Sequence, residues 1–173
     1  KINQVFGSVN PVASSHFNFS MLEPSGVVGV ISPEKSSLLG LISSLCPVIV
    51  SGNTCVLLAS ESKPLCGVTI AEVLATSDVP GGVVNILTGK RNETVSHLGK
   101  HMDVNAIYLA DSDSNFKEDL RMDAVDNLKR IVVGKNFSSD SKDLENPYII
   151  TSFMEAKTTW HPIEIISGSG SGY

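Results

Sequence analysis

The stretch from Pro24 to Gly89 limits what this chain can fold into more than any other part of it. A β-prone apolar run, Val27 to Ile31, leads into an apolar segment of helical length, Ser37 to Val50. A Ser-Gly-Asn turn at 51–53 then opens a second β-prone run, Thr54 to Leu58. Pro64 to Ala75 has helical length again, and the Pro-Gly-Gly turn at 80–82 precedes a third run, Val83 to Leu87. Parallel strands need a crossover long enough to hold a helix, so this alternation predicts βαβ units. The fold class is therefore α/β, a parallel sheet with helices on both faces.

The rest of the chain extends that pattern and then leaves it. Thr94 to Met102 predicts a short helix, Val104 to Leu109 a fourth strand, Asn115 to Asn127 an amphipathic helix and Arg130 to Val133 a fifth strand. Ahead of the core, Ala13 to Leu22 alternates His16, Asn18 and Ser20 with Phe17, Phe19 and Met21, the pattern of a half-buried strand. The expected organisation is a helix end and linker at 1–12, an arm strand at 13–22, the α/β domain at 23–136, a polar linker at 137–147, a β-prone segment at 148–166 and a disordered tail at 167–173. Pro162 cannot donate to a strand ladder, which places the 148–166 segment at a sheet edge.

Composition excludes some partners. With 173 residues, 42% of them hydrophobic and 18% charged, the chain can bury a core of about one domain. A net charge of −5 argues against nucleic acid, because phosphate binding needs a basic surface. The apolar run Leu38 to Val50 carries Ser43, Ser44 and Pro47 and is too short to span a bilayer, so no membrane partner is expected. Cys46, Cys55 and Cys66 lie inside apolar segments with no metal-type spacing, which predicts buried thiols in a reducing, cytoplasmic setting. His97 and His101 stand at i and i+4, a metal-type pair that lacks a third ligand at useful spacing.

Several strings, in order, resemble the aldehyde dehydrogenase superfamily. Glu23 to Gly29 (EPSGVVG) is similar to its strand entry EPxGVVG, Ser51 to Leu57 (SGNTCVL) to AGNTVVL, and Pro80 to Gly89 (PGGVVNILTG) to PPGVVNIVTG. Asn127 to Arg130 with Gly134-Lys135 resembles LKRVTLELGGKS, and Phe153 to Thr158 (FMEAKT) resembles the YTEVKT of the family's C-terminal arm. The resemblance implies a Rossmann-like coenzyme domain plus a small antiparallel oligomerisation arm. It implies pairing through Phe17, Phe19 and Met21 on one arm strand and Phe153, Ala156, Thr158 and Trp160 on the other. The partner would be a second copy, giving a homodimer or other homo-oligomer, or another aldehyde dehydrogenase-like chain.

The family's chemical positions are less well matched. Lys35 stands where the family keeps an oxyanion-binding Asn, and reads more simply as an exposed loop charge paired with Glu34. Glu61 matches the carboxylate that holds the adenine ribose, while Leu58 replaces the Lys that shares that task. Asp111 and Asp113 occupy the turn that faces the coenzyme diphosphate, where like charges at ~4 Å repel by roughly 4 kcal/mol. Asp111 or Ser112 is expected instead to cap the helix that follows. Gly134-Lys135 lacks the family's general-base Glu, and no cysteine follows Cys66 to serve as the nucleophile.

These substitutions lead to the expectation of a pseudoenzyme: a catalytically inactive aldehyde dehydrogenase-like module, with no cofactor, acting as a structural and oligomerisation scaffold. One alternative is an NAD(P)-binding domain, holding NAD or NADP weakly through Glu61, whose catalytic domain is supplied elsewhere. Another is a protein- or ligand-binding module that uses the vacated cleft near Lys35, Glu61 and Asp111.

Overall fold

The computed structural model describes residues 3–112, 115–135 and 146–163. The chain divides into two compact units, one made of Pro24–Met154 and the other of the segments up to Glu23 and from Glu155 onward.

The larger unit is built on β3 (Val27–Ile31), β4 (Thr54–Leu58), β5 (Val84–Leu87), β6 (Ala106–Leu109) and β7 (Arg130–Val133). They form a parallel sheet in the order β5-β4-β3-β6-β7. Three strands keep the bounds read from the sequence, and β5 and β6 start one and two residues later. The crossovers are α2 (Leu39–Val50), α3 (Leu65–Ala75), α4 (Arg91–Lys100) and α5 (Lys117–Asp123). On α2 the buried residues Gly40, Leu41, Ser44, Leu45 and Val48 recur at the spacing of one helix face. That face packs against Val28, Val30, Cys55, Leu57 and Tyr108 of the sheet. Val95 of α4 and Leu120 of α5 pack with Ile31, Leu58, Ile107 and Leu109, residues that alternate with the first set along their strands. Helices therefore cover both faces, which is why these strands are apolar almost throughout.

Neutral amides close the N-terminal ends of the strands. The Asn53 side chain, 2% exposed, accepts the Gly26 N–H at 2.8 Å and donates to the Phe153 carbonyl at 2.8 Å and to Ser51 Oγ at 2.6 Å. Asn105 Oδ1 accepts the Val27 N–H at 2.8 Å. Gly26 has φ +125°, and a Cβ there would lie 2.3 Å from Asn105 Oδ1, so glycine is required. The Arg130 guanidinium donates to the carbonyls of Ser152 and Met154 at 2.9 and 3.0 Å.

Phe153 is a correction to the sequence reading. Expected on an oligomerisation strand, it is fully buried in the core of the larger unit, its ring edge-on to Tyr108 at 5.2 Å. Residues 148–151, expected as strand, form the short helix α6 (Tyr148–Thr151). Pro147 supplies its φ of −67° and Asn146 Oδ1 accepts the Tyr148 N–H, both of which favour a helical start.

The smaller unit contains α1 (Asn3–Phe6), β1 (Ser8–Asn10), β2 (His16–Pro24) and β8 (Met154–Pro162). Its sheet has the order β1-β2-β8, with β1 antiparallel to β2. The sequence reading missed β1, which is too short to show a periodicity. Asn18 is buried rather than exposed: Asn10 donates to its side chain and to Ser20, and Ser20 pairs with Thr158 at 2.8 Å. His16 lies edge-on to Trp160, Phe19 stacks on His161, and Lys157 pairs with Glu23 at 3.0 Å. The tail at 167–173 and most of the 137–147 linker lie outside the described residues.

Candidate functional site

All five strands of the parallel sheet finish in register, since Ile31 pairs with Leu58 and Leu109, Leu58 with Leu87, and Leu109 with Val133. The order reverses between β3 and β6, the switch point beside which open α/β sheets generally bind ligands at the C-terminal ends of their strands. The common register brings Glu34 after β3, Glu61 after β4, Arg91 after β5 and Asp111 after β6 to this one edge.

Three of these residues are directly bonded. Glu34 Oε1 accepts the Ser62 N–H at 2.7 Å and the Ser60 hydroxyl at 3.0 Å, and Oε2 accepts the Glu61 N–H at 3.0 Å. The same Oε2 forms an ion pair with Arg91 Nη2 at 3.0 Å, and Nη2 also donates to the Ser32 carbonyl at 2.6 Å. The Arg91 N–H, at the start of α4, donates to Glu61 Oε2 at 3.0 Å. A carboxylate at that point also complements the helix dipole.

The charges at this edge are unequal in their burial. Glu61 is exposed, whereas Arg91 is only 7% exposed and its Nε is buried without a hydrogen-bond partner. Burial pushes the Arg91 pKa down, and the carboxylates of Glu34, Asp111 and Glu61 work in the opposite direction. Burial opposes ionisation of Glu34, but the hydrogen bonds from Ser62, Glu61 and Ser60 outweigh it and hold the carboxyl at about 2.

Other residues named from the sequence are placed differently. Lys35 is exposed, and the partner of Glu34 is Arg91, because Arg91 is brought alongside by the register of β3, β4 and β5. Leu58 is fully buried at the end of β4 and faces the core. Asp111 lies in electrostatic reach of Arg91. The helix that Asp111 or Ser112 was expected to cap begins only at Lys117, with Phe116 at its N-cap and no side-chain cap there. Asp113 lies outside the described residues. Gly134 sits tightly against β6, where an added Cβ would fall 2.6 Å from the Ala110 carbonyl oxygen.

His97 ends in the last turn of α4 and His101 at its C-cap, and among the described residues no group of three or more His, Cys, Asp or Glu is placed to hold a metal. Cys55 is buried, and desolvation pushes its thiol up to about 12. Cys46 is exposed rather than buried, and Cys66, half-buried on α3, lies 3.4 Å from Ser37 Oγ. On the smaller unit, Phe17, Ala156, Thr158 and Trp160 are exposed, and Phe19 and Met21 are half-buried.

Sequence reasoning missed Arg91. Its signal was positional: it is a cation a few residues past the end of β5, beside two acidic residues at matching places after β3 and β4. Only the strand register joins the three.

The sequence pattern of the Aldehyde dehydrogenase family matches residues 1–137. The chain belongs to the aldehyde dehydrogenase family. It is 29% identical over 171 residues to aminoacetaldehyde dehydrogenase of Pseudomonas aeruginosa, covering 97% of this chain and 34% of that protein. It is 32% identical over 130 residues to the NADP/NAD-dependent aldehyde dehydrogenase PuuC of Escherichia coli, covering 75% of this chain and 26% of that one. The crystal structure of PnpE from Pseudomonas sp. WBC-3 superposes with a TM-score of 0.71 at 31% identity, covering 76% of this chain and 27% of PnpE. The chain thus spans about a third or less of the length of these aldehyde dehydrogenases.

These findings correct two expectations. The expectation of a pseudoenzyme is overturned, since the relatives across most of this chain are aldehyde dehydrogenases. The expectation of no cofactor is overturned by the structure of PnpE in complex with nicotinamide adenine dinucleotide, which matches at the same 31% identity and TM-score of 0.71. The physical reason is common to both. Lys35, Leu58 and Asp111 are departures at single positions, and they leave the in-register strand ends and the exposed Glu61 carboxylate in place.

Proposed function

We propose that this chain is the coenzyme-binding portion of an aldehyde dehydrogenase. The observation that carries the reading is Glu61: an exposed carboxylate at the C-terminal end of β4, with Oε2 fixed on the first N–H of α4. An ionised carboxylate accepts hydrogen bonds only, so it suits the vicinal hydroxyls of a ribose. The residues therefore fit the adenosine half of a nicotinamide coenzyme, with Leu58 leaving that grip to Glu61 alone. When bound, the coenzyme supplies a hydride acceptor. This chain's own part is to bind and orient it at the strand ends.

The thiol and general base of aldehyde oxidation are assigned to residues supplied from elsewhere, in the same protein or another chain. Cys55 is too deeply buried and too weakly acidic for that task. Calorimetric titration with NAD tests the reading. Saturable binding is expected, and no binding at ~1 mM coenzyme, an affinity weaker than about −4 kcal/mol, would sink it.

The smaller unit is assigned to oligomerisation, with Phe17, Phe19, Met21, Ala156, Thr158 and Trp160 facing a second copy or another aldehyde dehydrogenase-like chain. Exposed apolar side chains on a three-stranded sheet support this, among them Phe17 at 45% and Trp160 at 58% exposure. Deleting the chain from Glu155 onward, which keeps Phe153 in the core, is expected to lower the molar mass measured by light scattering. An unchanged mass would refute the arm assignment. A cytoplasmic setting belongs to the same proposal; among the described residues no helix is long and apolar enough to cross a membrane.

A further inference from the structure

Four large apolar side chains stand out at one corner of the α/β unit, away from the coenzyme edge. Met102 follows α4, Met122 lies in the last turn of α5, Val125 begins the 3-10 turn Val125–Asn127, and Leu128 ends that turn at its C-cap. Each is between 61% and 91% exposed, and Leu128 is the most exposed large apolar residue among those described. Single exposed leucines are ordinary, whereas a cluster of apolar groups marks a contact surface. Register brings the segments together: Ala106 pairs with Arg130, so the residues that lead into β6 and β7 run side by side. Lys129 ties them, donating from Nζ to the carbonyls of Leu98 and His101 at 3.2 and 2.8 Å.

Leu128 is also strained. Its φ of +53° is the only positive value at a non-glycine residue among those described, and the left-handed conformation costs an L-residue free energy. Strain of this kind gathers at contact sites. Here it holds an apolar side chain out in water, where the fold gains nothing from it.

The charges of the corner are one-sided. Lys100 is paired with Asp123 at 3.6 Å and Arg121 with Glu118 at 2.9 Å, while Lys117 lies at the opposite end of α5. Lys129 is spent on the α4 carbonyls, and Arg130 on the carbonyls of Ser152 and Met154. The exposed Asp103 and Asp126 form no ion pair among the described residues. An apolar patch rimmed by free carboxylates complements an apolar segment that carries cations. Met122 and Val125 stand three residues apart, a ridge against which a second helix packs, and methionines adapt to its shape.

A second copy of this chain does not meet that description. Twofold contact would bring Asp103 and Asp126 of both copies together. Helices α2 and α3 contain no Lys or Arg, and on α4 Arg91 is buried and Lys100 paired. We infer that this corner docks a basic amphipathic helix of a partner protein, with Met102, Met122, Val125 and Leu128 as its apolar seat and Asp103 and Asp126 at its rim.

The test is fluorescence anisotropy of a labelled synthetic peptide of about 18 residues, leucine on one helix face and lysine on the other, titrated with the full 173-residue chain. A Kd below ~100 μM is expected, and a peptide with glutamate in place of lysine should bind at least about tenfold more weakly. Leu128→Gly should weaken the lysine peptide about tenfold or more with Tm unchanged or higher, since glycine adopts the left-handed conformation freely. Val125→Ser, a second apolar variant, should weaken it about threefold or more without passing through the strained position. Asp126→Asn should weaken it about threefold or more, whereas Asp78→Asn, the same charge change on the loop after α3, should not. Absence of binding, equal binding of the two peptides, or equal losses in Asp126→Asn and Asp78→Asn would overturn the inference. So would a molar mass by light scattering that falls in Leu128→Gly, which would make this corner an interface between copies. None of these readouts involves a coenzyme, so the inference is decided separately from the coenzyme-binding reading.

Discussion

The two ends of the parallel sheet solve opposite problems with different chemistry. At the N-terminal ends, the buried Asn53 bonds the main chain of Gly26 and Phe153, and the exposed Asn105 bonds the first N–H of β3, both through neutral amides. At the C-terminal ends, charged groups do the bonding: the buried Arg91 pairs with Glu34, its N–H holds the exposed Glu61, and Asp111 acts on its guanidinium. Neutral amides cost little to bury once each donor and acceptor is paired, whereas charges resist burial and stay available to ligands. One end is built to stay closed, and the other is built to exchange partners.

That contrast is open to direct attack, and the amide end should yield the larger losses. Phe153→Ala, which removes a fully buried ring from under α2 and Tyr108, is expected to cost about 4 kcal/mol in urea unfolding. A cost below ~1 kcal/mol would show that this end is not the stable one. Asn53→Ala strands the Gly26 N–H and one bond to the Phe153 carbonyl, with an expected loss of about 2–3 kcal/mol by the same measurement.

At the charged end the effect should be smaller and pH-dependent. The folded pKa of Glu34 is depressed from 4.5 to about 2, so its stabilisation is complete above pH ~4.5 and is lost as pH falls through about 2. After discounting for a side chain about a third exposed, Glu34→Gln should cost about 1–2 kcal/mol at pH 7. Comparing urea midpoints of wild type and variant at pH 7 and pH 3 checks the sign; a gap that widens on acidification would contradict it. Glu93→Gln supplies the lower bound. Its ion pair with Lys90 is adjacent in sequence to Arg91 but has both side chains more than 70% exposed, and the expected change is below ~0.5 kcal/mol.

The sheet was legible in the sequence because its signals are local. Val27–Ile31 and Thr54–Leu58 are apolar runs bounded by glycine turns, and burial on both faces makes such runs conspicuous. Glu61 was legible through its place after β4. Arg91 was not, because its significance depends on three strand ends that are distant in sequence and meet only through register. Phe153 was misplaced for a related reason: FMEAKT reads as one strand, yet Phe153 belongs to the core and β8 starts at Met154. The expected cap at Asp111 failed because the helix starts only at Lys117, with Phe116 at its N-cap, a boundary that the polar run before it does not mark.

Asn53 also has a consequence for how this polypeptide is made. Its bond to the Phe153 carbonyl spans 100 residues, and the Ser25 N–H donates to the same carbonyl at 3.2 Å. On the ribosome, the first strand of the sheet and the turn after α2 emerge long before their last partner does. Until residue 153 is synthesised and clears the ribosome, an amide and a main-chain donor at that corner face water, and the Tyr108 ring lacks its neighbour. Contacts so distant in sequence tend to form late. The α/β unit can complete its core only once residue 153 has emerged, so this corner stays open to water and to other chains through the synthesis of the hundred residues between.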